Sequence, residues 1–132
     1  MAADILERFE VIEECYEFML AYAAQGLASD KGSESGRQIR EFLIRAVNAL
    51  VGLPDCCAEA MGDDRPSFLA VLERDATDSL AAMELVLAQP AISSQLIDNL
   101  NASVHLRALL TDVFLLGEIL RAPQAASQAA GS

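Results

Sequence analysis

Four side chains of the sequence could bind a metal or carry out redox chemistry: Cys15, the adjacent pair Cys56 and Cys57, and His105. A structural zinc site needs four Cys or His ligands, and a di-iron helical bundle needs two Glu-x-x-His motifs. The four residues here lack paired spacing, and Ala102 stands where a motif ending at His105 would need glutamate. We therefore expect neither a metal ion nor another cofactor.

A thiol switch is the redox alternative, with a disulfide that joins Cys15 to Cys56 or Cys57. If the first two helices are antiparallel, Cys15 lies opposite Val47, and Cys56 is then displaced by about 13 Å at 1.5 Å per residue. The Cα atoms of a disulfide lie within about 7 Å of each other. A fold-back at Pro54 would shorten the separation, so this alternative stays open. We expect the cysteines to be small, buried hydrophobic residues, which is their commoner state.

His105 is the only histidine, and it raises the question of phosphoryl transfer. Helical phosphotransfer domains usually carry Lys-Gly just after such a histidine, whereas Leu106 and Arg107 follow it here. The sequence also lacks a glycine-rich phosphate loop and a G-x-S-x-G nucleophile motif. Few groups could serve in general acid–base catalysis. We expect His105 to face solvent and the protein not to be an enzyme.

Charge sets the class of partner, because twenty acidic residues against nine basic ones give a formal net charge of −11. Nucleic-acid binding depends on neutralisation of phosphates by Lys and Arg, and attraction to an anionic membrane surface has the same requirement. Both are therefore unexpected partners. A protein partner with a basic surface suits the charge better.

The sequence carries no signal for secretion or for the membrane. Glutamates interrupt every apolar run before Phe18, and uncharged runs such as Phe18–Ser29 are too short to span a bilayer. The three cysteines form no disulfide framework. We expect a cytoplasmic protein with reduced thiols.

Composition favours helices, because alanine, leucine and glutamate are abundant and β-branched residues are sparse. No segment alternates as a half-buried strand does. We predict an all-α fold, an up-down-up-down four-helix bundle with a short extra helical turn between the second and third helices. The domain is predicted to span residues 1–121, followed by a flexible Ala/Gln/Ser tail over 122–132.

Apolar periodicity and capping residues give the bounds of these helices. Asp63 or Asp64 would cap the third helix, and Ser93 or Ser94 the fourth. The predicted helices cover about 4–27, 33–51, 63–89 and 93–121, with the extra turn over 56–61. The polar row of the fourth helix, expected to face solvent, is Asp98, Asn101, His105, Ala108 and Asp112.

The first two helices carry more apolar surface than one core contact needs. The core stripe of the first helix is predicted to contain Ile5, Phe9, Ile12, Tyr16, Met19 and Ala23. The surplus apolar residues of the two helices are Val11, Cys15, Phe18, Tyr22, Ile44, Val47 and Val51. They either pack between neighbouring helices or form an exposed patch that a partner covers, and we favour the patch.

A row of glutamates lies opposite the core stripe of the first helix. We call it the acidic ridge, and its members are Glu7, Glu10, Glu14 and Glu17. Like charges at these spacings repel by a few tenths of a kcal/mol per pair. The ridge is either a solvated face or the complement of a basic partner.

Together these features favour a non-enzymatic protein-interaction module, that is, an adaptor, a regulatory subunit or a dedicated chaperone. We expect it to form a homodimer through its first two helices. The alternative is a carrier of a small molecule or cofactor, with a pocket in the bundle core. Residues that could line such a pocket are Met19, Met61, Met83, Phe114 and Gly117.

Overall fold

The described part of the chain folds into six α-helices and contains no strand. The structure is a computed structural model that describes the backbone of residues 2–62 and 66–131 and the side chains of residues 4–62 and 66–122. The helices are α1 (Ala2–Ala24), α2 (Glu34–Leu50), α3 (Leu53–Met61), α4 (Phe68–Leu87), α5 (Ser94–Ala102) and α6 (Val104–Gly131). The all-α prediction is confirmed. None of the described helices is long and apolar enough to cross a membrane.

The described residues form six helices where four were predicted, so the up-down-up-down four-helix topology is not confirmed. The predicted extra turn is a nine-residue helix, α3, which follows Gly52 in the left-handed conformation (φ 78°) and carries Pro54 in its first turn. The predicted fourth helix is two helices, because Ser103 has extended backbone (φ −64°, ψ 142°). The Ser103 hydroxyl accepts the amide N–H of Leu106 at 3.3 Å, which stabilises the start of α6.

The end of α1 differs from the prediction, and the predicted start of the third helix falls on residues that the structure does not describe. α1 ends at Ala24 rather than near residue 27, because the chain turns at Gly26, whose φ is 67°. α4 begins at Phe68. The caps predicted at Asp63 or Asp64 lie outside the described residues.

The predicted division into a domain over 1–121 and a flexible tail over 122–132 stays a prediction. The backbone of α6 continues to Gly131. Beyond Ala122, however, its side chains lie outside the described part of the chain.

α1 is the central helix of the core and packs against α2, α3, α5 and α6. Its fully buried side chains are Ile5, Phe9, Ile12, Cys15, Met19 and Tyr22. Cys15 and Tyr22 take the core positions predicted for Tyr16 and Ala23, which are only half-buried. Tyr22 can turn inward because its hydroxyl donates a 2.7 Å hydrogen bond to the main-chain oxygen of Ile92.

A buried ion pair fixes the loops at one end of the helices. The Asp30 carboxylate, in the loop between α1 and α2, accepts a hydrogen bond from the Arg40 guanidinium on α2 and another, at 2.7 Å, from the amide of Ile92. Arg40 also donates to the main-chain oxygens of Leu87 (3.2 Å) and Gln89 (3.0 Å). The hydrogen bond from Arg40 lowers the pKa of Asp30, and burial of the carboxyl group raises it. The hydrogen bond is the larger effect, so the pKa of Asp30 is lowered.

Two hydroxyl groups extend this network to α5. Ser94 Oγ donates to the main-chain oxygen of Tyr22 at 2.6 Å and accepts the amide N–H of Leu27 at 2.8 Å. The amide of Ser94 in turn donates to the main-chain oxygen of Leu27 at 2.8 Å. We call the contacts made by Tyr22, Asp30, Arg40 and Ser94 the loop clasp. It ties the loop after α1 to the segment between α4 and α5.

Gly36 allows the first turn of α2 to approach the loop clasp. The residue is buried, and a Cβ atom placed on it would overlap the main-chain carbonyl group of Asp30. Main-chain atoms of a clasped loop cannot move aside without loss of the clasp. Glycine is therefore required here by space and not by its backbone angles.

We predict that Arg40→Met destabilises the protein by about 3 kcal/mol, because it leaves the Asp30 carboxylate buried without its counter-charge. Arg37→Met is the matched control. Its partner Glu34 and Arg37 itself are 67% and 68% exposed, so its cost should stay below about 0.5 kcal/mol. Urea denaturation followed by circular dichroism measures both. Equal effects of the two substitutions would contradict a structural role for the ion pair.

We also predict that Gly36→Ala destabilises the protein by about 1–3 kcal/mol through overlap with Asp30. Gly117→Ala is the control, since its Cβ would meet the flexible end of Arg121 at 3.1 Å and make an ordinary van der Waals contact of 3.7 Å with the Phe9 ring. Alanine is a better helix former than glycine, so this control should be neutral or stabilising by up to about 1 kcal/mol. Thermal denaturation distinguishes the two. A tolerated Gly36→Ala would show that the loop can move.

Candidate functional site

A groove follows the seam between α1 and α2 and continues to α3. Its wider half is an open hollow of about 690 Å³, whose lining includes Glu7, Val11, Arg45, Asn48, Asp55 and Cys56. Its narrower half, of about 360 Å³, is lined by Glu14, Glu17, Phe18, Ala21 and Phe42. We call the two halves together the α1–α2 groove. It is a surface feature and not an enclosed cavity.

Arg8 fixes the wider end of this groove. Its guanidinium donates to the main-chain oxygens of Ala49 at 3.0 Å and of Val51 at 2.7 Å, which lie at the carboxyl end of α2. The last carbonyl groups of a helix lack partners within the helix and carry partial negative charge. Arg8 therefore caps α2 from α1 and holds the two helices in register.

An aromatic pair forms the floor of the narrower half. The rings of Phe18 on α1 and Phe42 on α2 stack with their centroids 4.6 Å apart and an angle of 18° between the planes. The Arg45 guanidinium lies 5.5 Å from the centre of the Phe42 ring. It also forms an ion pair with Glu14 at 3.6 Å, and both side chains are half-exposed. This ion pair crosses the groove where its two halves meet.

Three of the four glutamates of the acidic ridge border the groove. All four of its glutamates are exposed, as predicted for a solvent-facing row. Glu7 lines the wider half, and Glu14 and Glu17 line the narrower half. In the wider half four carboxylates oppose two guanidinium groups, those of Arg8 and Arg45, and Arg8 is already used as a cap. The narrower half is therefore an apolar hollow with a negative rim, and the wider half has a mixed polar and apolar lining with an excess of carboxylates.

The structure divides the surplus apolar residues of the two helices. Cys15 and Tyr22 are core residues, 1% and 0% exposed, so they offer no surface to a partner. Val11 lines the wider half of the groove, and Phe18 the narrower half. The predicted continuous patch is therefore reduced to two residues on α1.

The three predicted residues of α2 lie on the other flank of that helix. Ile44, Val47 and Val51 follow one another at steps of three and four, and Val51 borders a hollow shared with α4. Ile44 and Val51 are exposed, while Val47 is half-buried. Phe42 and Arg45 face α1 instead. Pattern reading did not select Phe42 or Arg8, although both contribute to the groove.

The cysteines are free, and burial makes two of them poor nucleophiles. Burial raises the pKa of the Cys15 thiol to about 12, against the smaller opposing effect of Arg45. The pKa of Cys57 is raised by burial and, to a lesser degree, by Cys56. Among the described residues, no group of three or more His, Cys, Asp or Glu side chains could hold a metal ion.

The polar row predicted for the fourth helix is partly interior, which corrects the expectation of a solvent-facing row. Asn101 and Asp112 are buried, whereas His105 is exposed and its Nδ1 lies 3.9 Å from Oδ2 of Asp78. Asp112 lies between α6 and α4, close to the carboxyl group of Asp75. Burial, followed by the hydrogen bond and the charge of Asp75, raises the pKa of Asp112 to about 8.

Residues proposed for a core ligand pocket are dispersed. Met19 and Met83 are packed in the core, Met61 is half-buried, and Phe114 is 52% exposed on the outer side of α6. They do not line one described cavity.

Comparison of the chain with protein-family models, with curated proteins and with solved structures gives no match.

We predict that Asp112→Asn stabilises the protein at pH 8 and has little effect near pH 4. The folded state holds a proton on Asp112 up to about pH 8, whereas the unfolded chain releases it near its ordinary pKa of 3.8. Stability of the wild-type protein therefore falls as pH rises between these values, and above them the cost is constant. The asparagine side chain of the variant cannot ionise, so the variant does not lose this part of its free energy of unfolding as the pH rises.

Thermal denaturation of both proteins from pH 4 to pH 8 measures the difference. Asp98→Asn, on the exposed face of α5, is the control because it removes a carboxylate that is not buried, and it should stabilise the protein at pH 8 less than Asp112→Asn does. A difference between Asp112→Asn and wild type that stays the same across this range would contradict the raised pKa.

Proposed function

We propose that this chain is a non-enzymatic protein-interaction module, an adaptor, regulatory subunit or dedicated chaperone. Its ligand is a basic amphipathic helix of a partner protein, held along the α1–α2 groove. The observation that carries this function is the acidic ridge beside the α1–α2 groove, whose narrower half is an apolar hollow built on Phe18 and Phe42. Such a surface complements a helix that has lysines or arginines on one side and apolar residues on the next.

The dimensions suit a helix of about three turns. The ridge from Glu7 to Glu17 extends about 15 Å at 1.5 Å per residue. A partner helix with basic residues at similar spacing can place one cation near each glutamate while its apolar side covers Phe18 and Val11. The stacked rings supply an apolar anchor, and aromatic anchors dominate the energetics of many interfaces.

The ridge also costs stability in the free protein. Its members repel one another at i,i+3 and i,i+4 spacings, by a few tenths of a kcal/mol per pair. A basic partner removes this cost on binding. The Glu14–Arg45 ion pair presents little obstacle, because half-exposed ion pairs of this kind contribute about 0–1 kcal/mol. Glu14 can therefore exchange Arg45 for a cation of the partner.

The homodimer predicted through the first two helices is less well supported at this surface. Two copies that met across the α1–α2 groove would bring one acidic ridge toward another, and like charges across an interface are unfavourable. The basic partner is therefore a different protein.

Replacement of all four glutamates of the acidic ridge by glutamine should weaken the binding of a basic amphipathic peptide at least about tenfold. The variant is Glu7→Gln, Glu10→Gln, Glu14→Gln and Glu17→Gln in one chain. A loss of about 1.4 kcal/mol over four exposed charge pairs gives this factor. The probe is a synthetic helical peptide of about four turns, with lysines on one face and leucines beside them, measured by calorimetry. The same variant should be slightly more stable than wild type, because the repulsion is gone.

The matched control replaces four exposed glutamates elsewhere by glutamine, namely Glu34, Glu41, Glu73 and Glu84. It removes the same net charge and should change the affinity less than about twofold if local charge and not net charge is responsible. A second peptide, with glutamine in place of lysine, tests the basic side of the contact. Equal losses in both quadruple variants, or no binding of the basic peptide at about 1 mM, would overturn the assignment.

A further inference from the structure

A second surface, on the outer side of α6, is apolar where a solvent-facing helix is usually polar. The inner side of α6 contributes Leu106, Leu109, Val113 and Leu116 to the core. Its outer side nevertheless exposes Val104 (71%), Leu115 (50%) and Ile119 (52%). Helices that are apolar all round are normally covered on all sides.

The outer residues form a continuous stripe. At steps of three and four along α6 they are Val104, Ala108, Thr111, Leu115, Ile119 and Ala122, and we call them the α6 stripe. Three of them are small, which lets a second helix approach closely. The Thr111 hydroxyl donates to the main-chain oxygen of Arg107 at 3.0 Å, so it needs no partner across an interface.

Charge makes this surface unlike the rest of the protein. Among the exposed side chains of residues 104–122, two arginines stand against one glutamate, although the chain as a whole has a net charge of −11. A second copy of an acidic chain is repelled by most of its surface and least by this one. The α6 stripe is therefore the region where two copies can meet at the lowest electrostatic cost.

Two charges beside the stripe are arranged for self-pairing. At 100° per residue, Arg107 and Glu118 fall on the same flank of the α6 stripe. They lie nearly symmetrically about the middle of the stripe, because Arg107 is three residues after Val104 and Glu118 is four residues before Ala122. Within the described residues neither side chain forms an ion pair with another residue of its own chain.

We infer that two copies of this chain associate through antiparallel α6 helices. A two-fold axis that makes helices antiparallel brings equal flanks together, so Arg107 of each copy faces Glu118 of the other. In a parallel pair the two-fold axis runs along the helices and brings opposite flanks together, so Arg107 of one copy would not lie beside Glu118 of the other. Charge and symmetry thus select the antiparallel arrangement, with Thr111 of one copy near Leu115 of the other.

This surface is separate from the α1–α2 groove, and the dimer does not depend on the proposed function. It places self-association on α6 and not on the first two helices. A single pair of helices forms an interface at the small end of the usual range, for which affinities are modest. We expect dissociation constants in the micromolar range.

A charge-swap experiment tests the dimer by sedimentation equilibrium over about 5–500 µM protein at low salt. Arg107→Glu and Glu118→Arg each place like charges across the two-fold axis, so each should weaken the dimer at least about tenfold. The double variant restores opposite charges and should recover most of the wild-type affinity. A nonspecific effect of net charge would weaken the dimer in Arg107→Glu but strengthen it in Glu118→Arg, because the two changes alter the charge in opposite directions. Weakening in both single variants with recovery in the double variant is therefore the signature of direct antiparallel pairing.

Leu115→Glu tests the stripe itself and should give a monomer with unchanged helical circular dichroism. Leu85→Glu is the matched control, since Leu85 is 67% exposed on α4, and it should leave the dimer intact. A wild-type monomer over the whole concentration range would overturn the inference. So would a dimer that Leu85→Glu disrupts as strongly as Leu115→Glu, or single charge variants that the double variant fails to rescue.

Discussion

The ion pair between Asp30 and Arg40 is the contact on which the arrangement of the helices depends. A buried carboxylate is very unfavourable unless it is paired and hydrogen-bonded. Here Asp30 accepts hydrogen bonds from both the Arg40 guanidinium and the amide of Ile92, and the same guanidinium donates to carbonyl groups at the end of α4 and just beyond it. One pair of charges thus fixes two loops at once. Loss of either partner would leave several polar groups at this end of the core without partners.

The loop clasp also determines which side of α1 faces the core. Because the hydroxyl of Tyr22 bonds to Ile92, Tyr22 is interior and the neighbouring Ala23 is not fully buried. At the other end of α1, Arg8 caps α2 and sets the register of the two helices. With both ends fixed, the acidic ridge can face only solvent, and Phe18 can only border the α1–α2 groove. The two proposed binding surfaces, on α1 with α2 and on α6, therefore have different chemistry and can be occupied together.

The sequence predicted what depends on local preference and regular spacing. The all-α fold, the exposed acidic ridge and most of the buried stripe of α1 follow from residue types and from steps of three and four. The break at Ser103 was missed because the apolar spacing continues across it, although serine is itself a common residue at a helix start. Such a short interruption leaves little trace in periodicity.

Features that depend on distant partners were beyond pattern reading. Asp112 was placed outside because carboxylates normally face water, whereas it is buried near Asp75 of another helix, and this burial raises its pKa. Phe114 was offered as a possible lining residue of a core pocket because the spacing of a helix with apolar residues on all sides does not show which side is covered. Phe42 and Arg8 matter through contacts between helices, and no spacing within either helix signals them.

The most direct measurement of the central claim is a nuclear magnetic resonance titration of the isotope-labelled protein with the basic amphipathic peptide. If the α1–α2 groove is the binding site, the amide shifts that change most belong to Glu7, Glu14, Phe18 and Phe42, while those of the α6 stripe stay in place. The Glu14 carboxylate should also lose its contact with Arg45. Changes centred on another face of the protein, or spread evenly over its acidic surface, would contradict the account.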